Sequence, residues 1–130
     1  AKGLLDDVLF RRANHVIGEM VRVREGVAAL RRHDYAALGR QLDASHRSTA
    51  VDFEVSCDEL DVITDAARAC EPVFGARLTG AGFGGCAIAL VRPGHCDAVA
   101  RHVAGVYEAR FGLAPNFHVL RIGDGPGELA

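Results

Sequence analysis

The stretch RLTGAGFGGCAIALV, Arg77 to Val91, places Gly80, Gly82, Gly84 and Gly85 within six residues, directly ahead of an apolar run. Glycine at that density lets the backbone take φ > 0 and lets N–H groups approach a ligand without side chains intervening. The loop therefore suggests an anion-handling turn. Gly80, Gly82 and Gly85 also satisfy GxGxxG, but a dinucleotide fold needs a helix after that loop and an acidic residue about 20 positions on. Here the loop runs into Cys86-Ala-Ile-Ala-Leu-Val91, closed by Pro93 and Gly94, which reads as a buried strand. The nearest acidic candidate, Glu108, falls in a helical segment. A Walker loop is excluded by the lack of a Lys followed by Ser or Thr after the last glycine. The plain alternative is a glycine-rich turn between two packed strands.

Outward from this loop the pattern is of helices first and strands later. From about Asp6 to Arg32, Ala13, Val16, Met20, Val23, Val27 and Leu30 recur three or four apart, one stripe of a long amphipathic helix that Gly18 and Gly26 weaken locally. Asp34 can cap a second helix with Tyr35, Leu38, Leu42 and Ser45 on one side, reaching about Thr49. The two predict a helical hairpin. Ser56, Glu59 and the Val55/Leu60 pair have the spacing of a capping box with a hydrophobic staple, so Ser56→Ala is expected to cost about 1 kcal/mol. Leu60, Ile63, Ala67 and Cys70 then form an apolar stripe, which Pro72 and Gly75 end. The remaining elements are strands at about Phe74–Thr79 and Gly85–Val91, a helix at about His95–Phe111 and a strand at Asn116–Ile122, before a loose tail GDGPGELA. The expected fold is α+β: one domain over residues 1–130, an antiparallel sheet with helices packed on one face, and the N-terminal helical hairpin.

Composition bounds the function. At 130 residues, 49% hydrophobic and 25% charged, the chain matches one globular domain. A net charge of −2 and 6% aromatic residues with no Trp offer neither attraction to polyanions nor stacking platforms, so no nucleic acid partner is expected. No apolar run reaches the ~20 residues of a membrane span and AKGLLDDVLFRR lacks the order of a signal peptide, so no membrane partner and a cytoplasmic location are expected. Cys57, Cys70, Cys86 and Cys96 form no CxxC and read as small hydrophobes in a reducing compartment. Adjacent His95 and Cys96 lack the spacing of a zinc site, and no metal site is expected.

Two polar clusters need weighing. Ser45, His46 and Ser48 pair a nucleophile type with a base type, but neighbouring helical residues point about 100° apart, so His46 reads as a packing or interdomain residue. The acidic run Asp52, Glu54, Asp58, Glu59 and Asp61 could hold a cation, yet Asp58 and Glu59 at a helix N-terminus already have a dipole reason to exist. Arg77, alternating with Ala76 and Leu78, predicts a strand with one face exposed or turned to a partner domain.

With the segments in place, the chain from about Val8 to Ile122 resembles the C-terminal part of the galactokinases, members of the GHMP family of small-molecule kinases. RRANHVIGE (Arg11–Glu19), SHRSTAVDFEVSCDELD (Ser45–Asp61) and GARLTGAGFGGCAIALV (Gly75–Val91) carry the resemblance. The last is similar to the superfamily's third motif, and the middle one points to galactokinase rather than to mevalonate or homoserine kinase. Asn14 and Met20 depart from the expected Arg and Asn, and Ala81 replaces an often-seen glycine. The resemblance implies a ferredoxin-like GHMP kinase C-terminal domain. It implies ATP and Mg2+ as cofactors, bound mainly by an N-terminal domain, and transfer of the γ-phosphoryl to the C1 hydroxyl of α-D-galactose in a cleft between the two domains. Such chemistry rests on positioning and on stabilising spread negative charge. Thr79, Gly80, Ala81, Gly82, Phe83, Gly84 and Gly85 are the implied nucleotide-side residues, facing phosphate or bracing the loop that does. The family's GRVNLIGEH, PxGxGLSSSA and basic Asp belong to the N-terminal partner domain, so no catalytic residue carries over and the chain alone is expected to be inactive. The other reading is a non-catalytic ferredoxin-like module whose loop binds a small anion or a partner chain.

Overall fold

A computed structural model describes residues 6 to 120. Its elements run α1 (Asp7–Arg31), α2 (Tyr35–Ser48), a π turn (Thr49–Phe53), α3 (Asp58–Arg68), β1 (Val73–Thr79), β2 (Cys86–Val91) and α4 (Cys96–Phe111). The class is the expected α+β, with the antiparallel β1–β2 pair in register from Thr79↔Cys86 to Gly75↔Leu90 and a register shift before Val73↔Val91.

Each start and stop has a local cause. Asp6 Oδ1 accepts the Leu9 N–H (2.8 Å) to open α1, and Asp34 Oδ1 accepts the Ala37 N–H (2.9 Å) to open α2 as its sequence suggests. Gly112 in the left-handed region (φ +67°) closes α4. The capping box at Ser56 is not formed: Cys57 occupies the cap position of α3 without a side-chain bond, and the Ser56 hydroxyl is drawn to Asp61 Oδ1 instead (2.5 Å). Asp61 competes because it sits one turn inside α3, within reach of the linker.

The core lies on one face of the sheet, where Ala66 and Ala67 of α3, Ala76 of β1 and Val99 and Val103 of α4 are buried together, with Ile63, Val73 and Val91 packed against them. α2 lies instead along the free edge of β1. Asp43 Oδ1 accepts the Ala76 N–H (2.9 Å) and His46 Nδ1 accepts the Leu78 N–H (3.1 Å), pairing strand donors that no neighbouring strand meets. That closeness depends on two facing glycines. A Cβ on Gly39 would stand 1.8 Å from the Phe74 carbonyl oxygen, and one on Gly75 would stand 2.1 Å from the Gly39 oxygen.

α1 and α2 form the hairpin, with Val23, Val27 and Leu30 of the apolar stripe bordering a groove against Leu38 and Leu42 of α2. Gly26 and Ala29 are buried against α2, and Glu19 accepts from Ser45 (2.8 Å) and from its own Arg22 (2.5 Å). Burial pushes the Glu19 carboxyl up, but Arg22, Ser45 and the charge of Arg77 outweigh it and hold the group below its ordinary range. Val16, Met20, Val23, Val27 and Leu30 are exposed, Val23 at 63%. Periodicity identifies an apolar face correctly, and the described residues leave about half of it or more exposed.

Two further expectations change. Among the described residues β2 is not a buried strand: Cys86, Ile88 and Ala89 are exposed, because the two-stranded sheet those residues form, with its core on one face, leaves the other face and outer edge bare. Over 113–120 no strand forms, and Phe117, Val119 and Leu120 are exposed; with no ladder beside it, alternation alone does not make a strand. Arg121, Ile122 and the GDGPGELA tail lie outside the described residues. No helix among those described is long and apolar enough to cross a membrane.

Candidate functional site

The three stretches singled out in sequence meet in series: the first braces the turn within the second, and the second supports the glycine loop of the third. The π turn at the end of α2 runs into Glu54, a non-glycine residue in the left-handed region (φ +59°), so that the Val55 N–H returns to the Thr49 carbonyl (3.2 Å). Such a turn holds strain of about 1–3 kcal/mol and needs outside support. The first turns of α1 supply it. Arg12 donates to the Asp52 carbonyl and to Glu54 Oε2 (2.5 Å), and Arg11 donates to Glu54 Oε1 (3.0 Å). The Arg12 hydrogen bond first, then the Arg11 charge, hold the Glu54 carboxyl below its ordinary range. The His15 ring stacks on Phe53 with 4.6 Å between centroids. Asn14, unexpected at its place, donates to Asp52 Oδ2 (3.3 Å).

Once fixed, this turn carries the loop. The Val55 carbonyl accepts the Phe83 N–H at 2.7 Å, and a Cβ on Gly82 would stand 2.1 Å from that same carbonyl oxygen. Gly82 is thus the point of closest approach, and its φ of +86° is one that side-chain-bearing residues rarely take. The other side of the loop is open. A Cβ on Gly80, Gly84 or Gly85 would meet nothing within 4 Å. Among the described residues, Phe83 is the only one from Gly80 to Gly85 whose N–H has a protein acceptor outside the strand ladder. Thr79, Gly80, Ala81 and Phe83 are exposed, Phe83 at 74% with φ +61°.

These features decide which ligands suit the loop. N–H groups on either side of the bonded Phe83, set in backbone with positive φ at Gly80, Gly82, Gly84 and Gly85, can serve an anion as turn N–H groups do elsewhere. The loop contains no carboxylate, so its side chains offer no charged ligand to a cation. The acidic run is spoken for elsewhere: Asp52 by Ser48 (2.8 Å) and Asn14, Glu54 by Arg11 and Arg12, Asp61 by Ser56. Asp58 and Glu59 lie in the first turn of α3, where the helix dipole favours them.

The serines and histidines make no nucleophile–base pair of the useful kind. Ser48 Oγ gives its proton to Asp52 and lies 3.0 Å from His15 Nδ1, so the ring donates to the serine rather than activating it. Ser45 bonds to Glu19 and His46 is buried between α2, α3 and β1. Sequence reasoning places Val55 in a hydrophobic staple and Glu54 in an acidic run, and misses both the Val55 carbonyl as the loop's support and the Arg11/Arg12–Glu54 clamp. No propensity marks Glu as a left-handed residue. All four cysteines are free, Cys86 exposed and the others half-buried.

Comparison with known proteins agrees with this geometry. Residues 27–109 match the family model "GHMP kinases C terminal", and the chain belongs to that family of kinase domains. Its similarity within the family is to galactokinases. It is 48% identical over 120 residues to galactokinase of Staphylococcus carnosus, covering 92% of this chain and 31% of that one. The crystal structure of Lactococcus lactis galactokinase complexed with galactose superposes with a TM-score of 0.89 at 40% identity, covering 94% of this chain and 31% of the other. An L. major mevalonate kinase in complex with R-mevalonate stands further off, with a TM-score of 0.64 at 28% identity over 81% of this chain and 30% of that one. The chain spans about a third of the length of the galactokinases it matches.

Proposed function

We propose that this chain is the C-terminal domain of a galactokinase, in which Thr79 to Gly85 form one wall of the cleft where the γ-phosphoryl of ATP passes to the C1 hydroxyl of α-D-galactose. The observation that carries the reading is the two-sidedness of the loop. Gly82 and Phe83 are pinned to Val55, while Gly80, Gly84 and Gly85 turn unobstructed backbone toward open space. A rigid back and an open front are what phosphoryl transfer asks of a positioning element, since spread charge is stabilised by donors already in place. When bound, ATP supplies the transferred group. The likeness to galactokinases assigns Mg2+, the catalytic base and the sugar contacts to an N-terminal partner domain, and the glycine loop itself carries no carboxylate.

The exposed stripe of α1 supports the same partner. Val16, Met20 and Val23 join Phe53 in an open apolar groove beside the clamp. Monomeric surfaces rarely leave so continuous an apolar face bare. The matched relatives are about three times as long as this chain, and the remainder of such a kinase is the occupant we assign to this groove.

The test is a chimera in which the chain replaces the matching third of Staphylococcus carnosus galactokinase. Galactose-dependent ADP formation is expected, with none from mevalonate. A folded chimera that binds ATP and galactose yet releases no ADP overturns the reading and favours a non-catalytic anion-binding module.

A further inference from the structure

The supports of the glycine loop converge on one buried side chain that no sequence argument placed there. His46 of α2 is 2% exposed. Its Nδ1 lies 3.1 Å from the Leu78 nitrogen, two residues ahead of Gly80. A backbone N–H can only donate, so Nδ1 carries the lone pair and the neutral ring keeps its proton on Nε2. Nε2 lies 2.9 Å from Thr64 Oγ1 and 3.1 Å from Asp61 Oδ1. The Thr64 hydroxyl gives its own proton to the Leu60 carbonyl (2.9 Å), which leaves its oxygen to accept from the ring. Asp61 Oδ1 also takes the Ser56 hydroxyl (2.5 Å), and Ser56 follows the Val55 that holds Phe83.

We propose that His46 is the positioning residue of the glycine loop: its neutral ring holds Leu78 at the loop's entry and, through Asp61 and Ser56, steadies the Val55 carbonyl that carries Phe83. For its catalytic consequence this rests on the function proposed above, but its test does not.

The device is asymmetric toward protons. A second proton must go to Nδ1, where it would face the Leu78 N–H, donor against donor, and the hold on the strand end would be lost. The groups around the ring keep it neutral on balance. Burial, and then the Arg68 charge, push its proton affinity down, against the upward pull of Asp61 and Asp65. Arg68 is itself held by Asp65 and lies 3.8 Å from Asp43 of α2. β1 brings the Leu78 N–H, its Arg77 being turned to Glu19 of α1 (3.8 Å).

The experiment is amide exchange by NMR on the full 130-residue chain, with the ring nitrogen shifts of His46 read in the same samples. Wild type is compared with H46N, whose Oδ1 can replace Nδ1 as acceptor, and with H46Q, whose amide reaches only the Nε2 position. Corrected for intrinsic rates, protection of the Leu78 amide in wild type is expected to fall about tenfold, the worth of one hydrogen bond, as the ring protonates. It is expected to stay level over that range in H46N and to be low throughout in H46Q. The Phe83 amide is expected to lose protection relative to Val103 in the core in H46N, which lacks a donor at the Nε2 position, and to keep it in H46Q, whose amide can still donate to Asp61. The proposal is overturned if Leu78 and Phe83 weaken only in step with Val103, or if H46N keeps the wild-type pH dependence. Should both variants fail to fold, the wild-type ring decides: a protonated Nδ1 at neutral pH overturns the proposal, and an unprotonated Nδ1 whose titration releases Leu78 supports it. Failure of the galactokinase reading would show differently, as an inactive chimera in which these amides remain protected.

Discussion

Gly80 and Gly82 form a matched pair in which backbone strain and contact can be separated. Their φ angles are +85° and +86°, so an alanine at either pays the same left-handed penalty, about 1–2 kcal/mol. Beyond that they differ completely, for the new methyl at Gly80 meets nothing within 4 Å while at Gly82 it would stand 2.1 Å from the Val55 carbonyl oxygen. The loop must then lift from its support, which loses the Phe83–Val55 bond, about 1 kcal/mol, and adds the about 1–3 kcal/mol of an overpacked contact. Gly80→Ala is therefore expected to cost about 1–2 kcal/mol and Gly82→Ala about 3–6 kcal/mol, summing those terms. Urea unfolding of the 130-residue chain measures both. In the chimera the order should invert relative to stability: Gly80→Ala, with its methyl on the open side, is expected to raise KM for ATP well beyond what its small stability loss explains. Equal unfolding free energies for the two variants would refute the pinning of the loop on Val55.

Gly39→Ala places a Cβ 1.8 Å from the Phe74 oxygen with backbone on both sides, and is expected to abolish cooperative thermal unfolding of the chain. Val23→Asp, at a 63% exposed position on the stripe of α1, should leave the unfolding free energy of the isolated chain within about 0.5 kcal/mol, whereas Leu60→Ala at 1% exposure should cost about 2–5 kcal/mol. The same Val23→Asp in the chimera is expected to weaken activity by disturbing the domain contact, and full activity would argue against that face as the seat of the partner. His46 also sets the pH dependence of stability. Its folded-state proton affinity is depressed from the ordinary 6.5, so its contribution is whole above that value and is lost as pH falls through it toward the folded value. Glu19, depressed from 4.5, adds a second loss below that value. Urea midpoints measured from pH 7.5 to 5 should fall in wild type and stay flatter in H46N.

Local signals gave the helices, the hairpin and the loop, because each rests on a short-range preference: Asp34 as a cap, Gly80 to Gly85 as positive-φ residues, Leu60 and Ala67 on one helical face. What could not be read was which apolar face the chain covers with its own residues. The stripe from Val16 to Leu30 has the periodicity of a core face, yet the buried contacts with α2 fall to Gly26 and Ala29, while Val23, Val27 and Leu30 only border the groove against Leu38 and Leu42. Periodicity marks an apolar face and does not say what covers it. β2 misleads for the same reason: CAIALV reads as buried because its composition suits burial, and the described residues leave much of it bare. Ser56 failed as a cap through competition, since a hydroxyl with Asp61 within 2.5 Å has a charged acceptor to satisfy before a backbone N–H.

The candidate site shows a different limit. As sequence, SHRSTAVDFEVSCDELD is a label that separates one kind of small-molecule kinase from another; as structure it is a bracket. Its Thr49–Phe53 turn and left-handed Glu54 bring the Val55 carbonyl under Gly82, its Asp61 and Ser56 join that carbonyl's neighbour to His46, and RRANHVIGE supplies the two arginines that hold the bend closed. Each residue of the bracket is ordinary by type, and its part depends on contacts 30 or 40 positions away, such as Arg12 to Glu54, beyond what local patterning can encode. It follows that substitutions in the bracket should act on the loop's order before they act on any ligand contact. Loss of the Arg12 side chain is therefore expected to loosen the Phe83 amide in the isolated chain, with no nucleotide present.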